Sequence, residues 1–231
     1  MNNESIGTKI VKWLKWFFFS YIWLGVLFFV IDLVTKLVIV NHFKTPDADP
    51  VVLIPGFLRI SYVVNTHAAM GLGFDQPLVN RIVYCIVAFI GLGLILGFYI
   101  WKFKKINALT KACLMLMAVG ALGNLIDRLF YTPSFLGYEF NGVVDWIDFY
   151  FNYGIWRFVF NIADSCVVVG TIILIVYLIV DEIKDFRKRR KEEVKNSQGK
   201  VLSKEEQARL EEEKREETLK AEENKVEIKE D

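Results

Sequence analysis

Val159-Phe-Asn-Ile-Ala-Asp-Ser-Cys-Val-Val-Val-Gly-Thr-Ile-Ile-Leu-Ile-Val-Tyr-Leu-Ile-Val180 is an almost uninterrupted apolar run with Asn161 and Asp164 set into its first turns. A bilayer core is about 30 Å thick and a helix rises about 1.5 Å per residue, so about 20 mostly apolar residues cross it. This run has that length. Three earlier blocks match it: Trp16 to Val40, Ile82 to Trp101 and Ala112 to Leu129. Four such blocks in 231 residues that are 54% hydrophobic imply a membrane protein.

The charges sit between and after these blocks. Lys9, Lys12 and Lys15 precede the first, Lys102, Lys104, Lys105 and Lys111 join the second to the third, and Lys184, Arg187, Lys188, Arg189, Arg190 and Lys191 follow the fourth. By the positive-inside rule these segments are cytoplasmic, both termini included. Residues 41–81 and 130–158, poor in Lys and Arg, face outward. The first block resembles a secretory signal but is too long, carries Asp32 and Lys36, and lacks a small-residue cleavage site; it reads as a retained span.

The first outer connection, with Pro46, Pro50 and Pro55 around Val51 to Ile54 and alternation over Leu58 to Val64, reads as short strands joined by turns. The second holds Trp146, Phe149, Tyr150, Phe151, Tyr153 and Trp156, aromatic residues suited to the headgroup layer, and is expected to rest on the outer interface. After about Asp185 the chain turns to Glu and Lys with no regular heptad, so a solvated partial helix or disorder is expected there. The expected fold is an all-α membrane protein of four transmembrane helices, a small extracytoplasmic β-rich cradle and an interfacial second outer loop. Its parts are residues 1–15, a cytoplasmic amino end; 16–180, the membrane domain; and 181–231, a charged cytoplasmic tail.

Ionisable groups within spans cost a few kcal/mol each, so each is a functional candidate. Asp32 and Lys36 fall near the outer end of span one, Asn124, Asp127 and Arg128 at the outer end of span three, and Asn161 and Asp164 in the first turns of span four. They converge at one depth, beside an outer connection that holds Asp145 and Asp148. A transporter or channel, the main rival reading, places such groups at the midplane or along the path. A scaffold acting through the charged tail is a third reading, and the charge balance of +1 gives no sign of nucleic-acid binding.

The two histidines, His42 and His67, stand in no zinc-protease pattern, and no serine stands in a Gly-x-Ser-x-Gly setting. Cys85, Cys113 and Cys166 lie in different spans without paired spacing and read as small buried apolar residues. Carboxylates remain. Two held close together share a proton, one activating water while the protonated partner polarises a scissile carbonyl. On the residues alone, Asp127, Asp145, Asp148 and Asp164 are all candidates.

Five stretches resemble the bacterial type II (lipoprotein) signal peptidases: Asp32-Leu-Val-Thr-Lys36, Asn65-Thr-His-Ala-Ala-Met-Gly71, Gly120-Ala-Leu-Gly-Asn-Leu-Ile-Asp-Arg128, Val143-Val-Asp145 and Phe160-Asn-Ile-Ala-Asp-Ser165. The resemblance implies an aspartic endopeptidase with Asp145 and Asp164 as its catalytic dyad. Asp32, Lys36, Asn65, Asn124, Asp127, Arg128, Asn161 and Ala163 are implied as substrate-binding or supporting residues. It implies a diacylglyceryl-modified prolipoprotein as substrate, cut before the lipidated cysteine, membrane lipids and globomycin-like inhibitors as other partners, no cofactor or metal, and a bacterial plasma-membrane site at the outer face. His67 departs from the family's Asn-x-Gly-Ala-Ala pattern, which puts any positive φ there in doubt. Asp127 also reads as a charge partner of Arg128 or of the outer loop, Arg128 as a snorkelling cation, and Asp32 with Lys36 as an ion pair.

Overall fold

The computed structural model describes residues 5–46, 48–66, 76–130, 142–150 and 157–227. The elements run α1 (Ile6–Ser20), α2 (Ile22–Phe43), β1 (Val51–Ile54), β2 (Leu58–Asn65), α3 (Pro77–Lys102), α4 (Ala108–Phe130), β3 (Val143–Tyr150), β4 (Arg157–Phe160) and α5 (Ile162–Glu227). Two compact units divide the chain, Met1–Ile175 and Val176–Asp231. Where described, the side chains of the second unit are exposed along a continuous helix, more regular than the partial helix or disorder expected of its composition.

Among the described residues four helices are long and apolar enough to cross a membrane: Ile22–Phe43, Leu78–Lys102, Ala108–Phe130 and Ile162–Ser197. Burial distinguishes their roles. Half of the apolar window of α4 is buried against 6% of that of α3, so α4 is the inner helix and α3 turns Ile82, Ile86, Phe89, Ile90 and Leu94 outward to lipid.

Helices α3 and α4 start at Pro77 and Ala108, a few residues before the expected Ile82 and Ala112, and α2 runs on to Phe43; two further differences have a visible local cause. The apolar block that begins at Trp16 is broken at Tyr21, which adopts a left-handed backbone with φ of 59°. The Ser20 hydroxyl explains the break: it donates to Phe17 O at 2.7 Å and accepts from Ile22 N at 3.4 Å, ending α1 and starting α2. The first span therefore begins at Ile22, not Trp16. At the other end of the chain Val159 and Phe160 belong to a strand, and the last helix starts at Ile162.

Strands from the α2–α3 and α4–α5 connections together make one antiparallel sheet in the order β1-β2-β3-β4. The second connection is thus more than an interfacial loop, because its described parts, β3 and β4, complete the sheet that the first begins. Phe149 of β3 packs along that sheet, stacking on Phe160 at 5.7 Å and meeting Phe57 edge-on at 5.1 Å. Phe151, Tyr153 and Trp156 lie outside the described residues. Pro55 and Gly56 make the β1–β2 turn, with Gly56 at φ 74° and Phe57 N donating to Ile54 O at 3.0 Å.

Ile39 and Phe43, in the last turns of α2, form a buried cluster with Tyr62 of β2 and Val144 of β3, which seats the sheet on the end of that helix. Elsewhere the helices approach closely through glycines. A Cβ on Gly123 would lie 2.6 Å from the Asp32 carboxylate, and one on Gly170 would lie 2.9 Å from Cys113 O. Gly170→Ala is expected to destabilise the protein by about 1–3 kcal/mol through overpacking. Gly93→Ala, whose Cβ meets nothing within 4 Å, is expected to leave it unchanged or slightly steadier, as read by unfolding midpoints in detergent micelles.

Candidate active site

The sheet register brings the polar residues of separate elements together. Strand β4 pairs with β3 up to Ile147 opposite Phe160, and the chain then leaves the sheet at Asn161 to enter α5. Asp145 lies two residues before Ile147 on β3, with Val63 of β2 opposite it, and Asn65 pairs with Val143. A register irregularity between Ile60 and Val63 adjoins this point. Asn161 thus arrives beside Asp145, and its amide donates to Asp145 Oδ1 at 2.7 Å. Asn65 donates to the other oxygen at 2.9 Å.

Asn161 is also the N-cap of α5. Its Oδ1 accepts from Asp164 N at 2.9 Å while Asp164 Oδ2 accepts from Asn161 N at 3.2 Å, the reciprocal arrangement of a capping box. One asparagine therefore holds two carboxylates, Asp145 through its side chain and Asp164 through the cap. Asn124 of α4 donates to Asp164 Oδ1 at 2.7 Å and accepts from Asn161 at 3.1 Å, closing the ring of amides. Asp164 also stands in the first turn of α5, where the helix dipole favours an anion.

Beneath the pair lies a buried ionic triad. Lys36 Nζ is 2.7 Å from Asp32 Oδ2 and 2.8 Å from Asp127 Oδ2, all three side chains being almost inaccessible. The Asp32 contact is an ion contact rather than an aligned hydrogen bond. The other Asp32 oxygen accepts from the α5 amide of Ala163 at 2.9 Å, and Asp127 accepts from Val144 N at 3.2 Å. Lys36 also reaches Asn124 Oδ1 at 3.4 Å. The triad joins α2, α4, β3 and α5.

Asp145, on its strand, is buried, and burial is the main reason its carboxyl is pushed up to about 7. The neighbouring Asp164 carboxylate adds to the rise, while the Asn65 and Asn161 hydrogen bonds and the Lys36 charge oppose it. Two carboxyl groups held close together can share a proton, one accepting a proton from water while the other donates one.

The ten site residues implied by the family resemblance all have described positions. Asp32, Lys36, Asn65, Asn124, Asp127, Asp145, Asn161, Ala163 and Asp164 share the network above. Asp127 pairs with Lys36 and accepts from Val144 N, while toward Arg128 it acts as a nearby charge. Arg128 takes another course: its guanidinium lies over the Tyr84 ring at 5.4 Å, donates to Asn124 O at 3.4 Å and interacts with the Asp164 charge. Asp148, a candidate on the residues alone, is occupied elsewhere in the sheet. Arg59 at 2.6 Å and Ser61 at 2.6 Å both donate to its Oδ2, and Arg59 lies 4.4 Å from the centre of the Tyr150 ring. His67 and residues 68–71 lie outside the described residues.

Arg81 escaped notice in the sequence. From the first turns of α3 it donates to Arg128 O at 2.6 Å and to Leu129 O at 2.9 Å, satisfying the free carbonyls at the end of α4. Its partners are backbone atoms far along the chain, which no residue pattern announces.

Four membrane-length helices with paired carboxylates, carboxamides and a buried lysine at one end of the bundle define a multi-pass membrane enzyme of the carboxylate-dependent kind. The chain belongs to the signal peptidase II family, proteases that remove signal peptides from prolipoproteins. The family model described as signal peptidase (SPase) II matches residues 24–180. The lipoprotein signal peptidase of Clostridioides difficile (strain 630) is 35% identical over 164 residues, covering 71% of this chain and 97% of that protein. That of Desulfitobacterium hafniense (strain DSM 10664 / DCB-2) is 36% identical over 173 residues, covering 74% and 99%. A solved structure described as a bacterial membrane enzyme at 2.3 Å resolution is 31% identical, with a TM-score of 0.58 over 71% of this chain and 89% of its own.

Removing the shared cation tests the triad. Lys36→Met leaves two buried carboxylates facing each other and is expected to cost about 3–5 kcal/mol, whereas Asp32→Asn/Lys36→Met/Asp127→Asn recovers much of that loss. Reversible unfolding in mixed micelles reads both. An unchanged Lys36→Met would mean that the triad is not a structural charge cluster.

Proposed function

We propose that Asp145 and Asp164 form the catalytic dyad of this peptidase, and that the substrate is a diacylglyceryl-modified prolipoprotein cut before the lipidated cysteine. The observation that carries the reading is the single asparagine, Asn161, bonded at once to Asp145 and to Asp164. Asp145, whose carboxyl is pushed up to about 7 by burial and by Asp164, is the member that keeps the proton. Asp164, with donors from Asn124 and Asn161 N and the N-terminus of α5 behind it, is the base.

In this reaction Asp164 takes a proton from water as the water oxygen bonds to the scissile carbonyl carbon, and Asp145 gives its proton to the carbonyl oxygen. The tetrahedral diol then collapses: the C–N bond breaks as Asp164 passes its proton to the leaving nitrogen, and one diol hydroxyl returns a proton to Asp145. Asn65 and Asn161 hold Asp145, Asn124 holds Asp164, and Arg128 is available to the peptide backbone or the lipid headgroup. Placement of Asp164 in the first turn of α5 supports a shallow site, reached by a substrate whose acyl chains stay in the leaflet. The distribution of lysine and arginine supports a site on the outer face of a bacterial plasma membrane, with both termini and the charged tail after residue 180 in the cytoplasm. Globomycin-like cyclic peptides would compete at the same place.

Asp145→Asn and Asp164→Asn are each expected to lower cleavage of a diacylglyceryl-prolipoprotein by three orders of magnitude or more, on the order of 4 kcal/mol of barrier, with membrane insertion intact. Full turnover by either variant, or equal cleavage of an unlipidated precursor, would count against the reading. The pH profile supplies a second test. Activity that needs the Asp145 proton falls as pH rises through about 7. Asn65 stabilises the ionised carboxylate, so Asn65→Ala is expected to move that fall to higher pH, seen in kcat/KM against pH.

A further inference from the structure

A second site lies at the opposite end of the bundle from the carboxylates, outside the reach of the reaction. Helix α4 begins at Ala108 beside it and carries Asn124 about 24 Å farther along at a rise of about 1.5 Å per residue. Here a cleft of about 520 Å³ is lined by Trp16 of α1, Tyr99 and Trp101 of α3, and Phe103, Lys104 and Lys105 of the following connection. Its size suits a small amphipathic molecule.

The walls are held in place by specific contacts. The Tyr99 hydroxyl donates to Ser20 O, the carbonyl at the break between α1 and α2, so α3 fixes the start of the first span. Tyr99 meets Phe103 edge-on at 5.4 Å. Two lysines are already placed on aromatic faces, Lys102 at 3.6 Å from the Trp101 ring and Lys111 at 4.1 Å from that of Phe103. Lys104 and Lys105 are exposed at the cleft. Helical spacing puts Lys9 and Lys12 on the same side of α1 as Trp16, and neither α1 nor the connection from α3 to α4 holds an acidic residue.

An aromatic cleft at the end of membrane-crossing helices, in which the charged residues among the described lining are Lys104 and Lys105, is complementary to a lipid with apolar chains and a negative headgroup. Helix α1 adds the amphipathic, lysine-and-tryptophan composition of a helix that lies at a membrane surface. We propose that this cleft binds an anionic phospholipid of the leaflet it faces, with the acyl chains against Trp16, Tyr99 and Phe103 and the phosphate between Lys104 and Lys105. The family match begins at residue 24, so the α1 wall of this site lies outside the part of the chain that the family model describes. The site does not depend on the assignment of the dyad.

The test uses the full chain, purified in detergent and exposed to equal amounts of dioleoylphosphatidylglycerol and dioleoylphosphatidylcholine, with bound lipid counted by native mass spectrometry. The wild type is expected to retain the phosphatidylglycerol preferentially. A lysine near an anionic surface contributes about a fivefold factor, so Lys104→Gln/Lys105→Gln is expected to lower that preference about thirty-fold. Lys104→Arg/Lys105→Arg is expected to keep it, and Trp16→Ala to reduce retention without changing headgroup preference. Equal retention of the two lipids by the wild type would overturn the proposal, as would a preference that survives the glutamine pair. Displacement of the lipid by millimolar inorganic phosphate would also overturn it, by making the site one for a free anion.

Discussion

The Lys36 ammonium, held out of water between Asp32 and Asp127, is the contact on which the rest of the bundle depends. None of the three charges is tolerable alone at that depth, and the group is acceptable because the Lys36 ammonium lies within 3 Å of each carboxylate. The same carboxylates reach further: the second oxygen of Asp32 takes the Ala163 amide at the start of α5, and Asp127 takes the Val144 amide at the start of β3. The triad therefore fixes where two separate elements begin, and both of the carboxylates above it sit within two residues of those points. Gly123 matters for the same reason, since a side chain there would occupy the space of the Asp32 carboxylate.

From that base the paired carboxylates are positioned by backbone devices of ordinary kinds. A sheet register carries Asp145, and a helix cap carries Asp164, with Asn161 as the residue common to both. Because the cap uses the Asp164 side chain as well as its amide, the carboxylate is oriented by the same bonds that start the helix. Asn124 can accept from Asn161 and Lys36 with its oxygen only if its nitrogen faces Asp164, so its amide has one sensible orientation. The result is a preorganised polar cluster in which one carboxyl, Asp145, is raised well above the usual carboxylate range.

The two ends of the bundle divide the protein's dealings with its surroundings. At one, polar side chains turn inward and are satisfied by one another; at the other, aromatic and lysine side chains turn outward. Between them the helices present Ile, Val, Leu and Phe to lipid, so the large exposed apolar surface of α3 and α5 is what a bilayer solvates. The break at Tyr21 belongs to the second end. It separates α1 from the first crossing helix and opens the wall on which Trp16 stands.

Membrane residence, the number of crossings and the depth at which polar groups gather were all legible from the residues, because a bilayer imposes a length and polarity requirement on each segment independently of its neighbours. Four long apolar runs need no partner to be recognised. The motif likeness also pointed to Asp145 and Asp164, although the residues alone left Asp127 and Asp148 as equals. Only the tertiary structure gives the four their partners: Lys36 meets Asp127, Arg59 with Ser61 meets Asp148, through residues 87 to 91 positions away, and Asn161 bonds to both Asp145 and Asp164. It likewise decided that β3 and β4 complete a sheet, that Arg81 caps the end of α4, and that a serine hydroxyl ends a helix inside an apolar run. The physical reason is common to these cases. Solvation by lipid acts on one segment at a time and leaves its mark in composition, whereas a hydrogen bond or ion pair is a relation between distant atoms, often backbone atoms, that composition does not record.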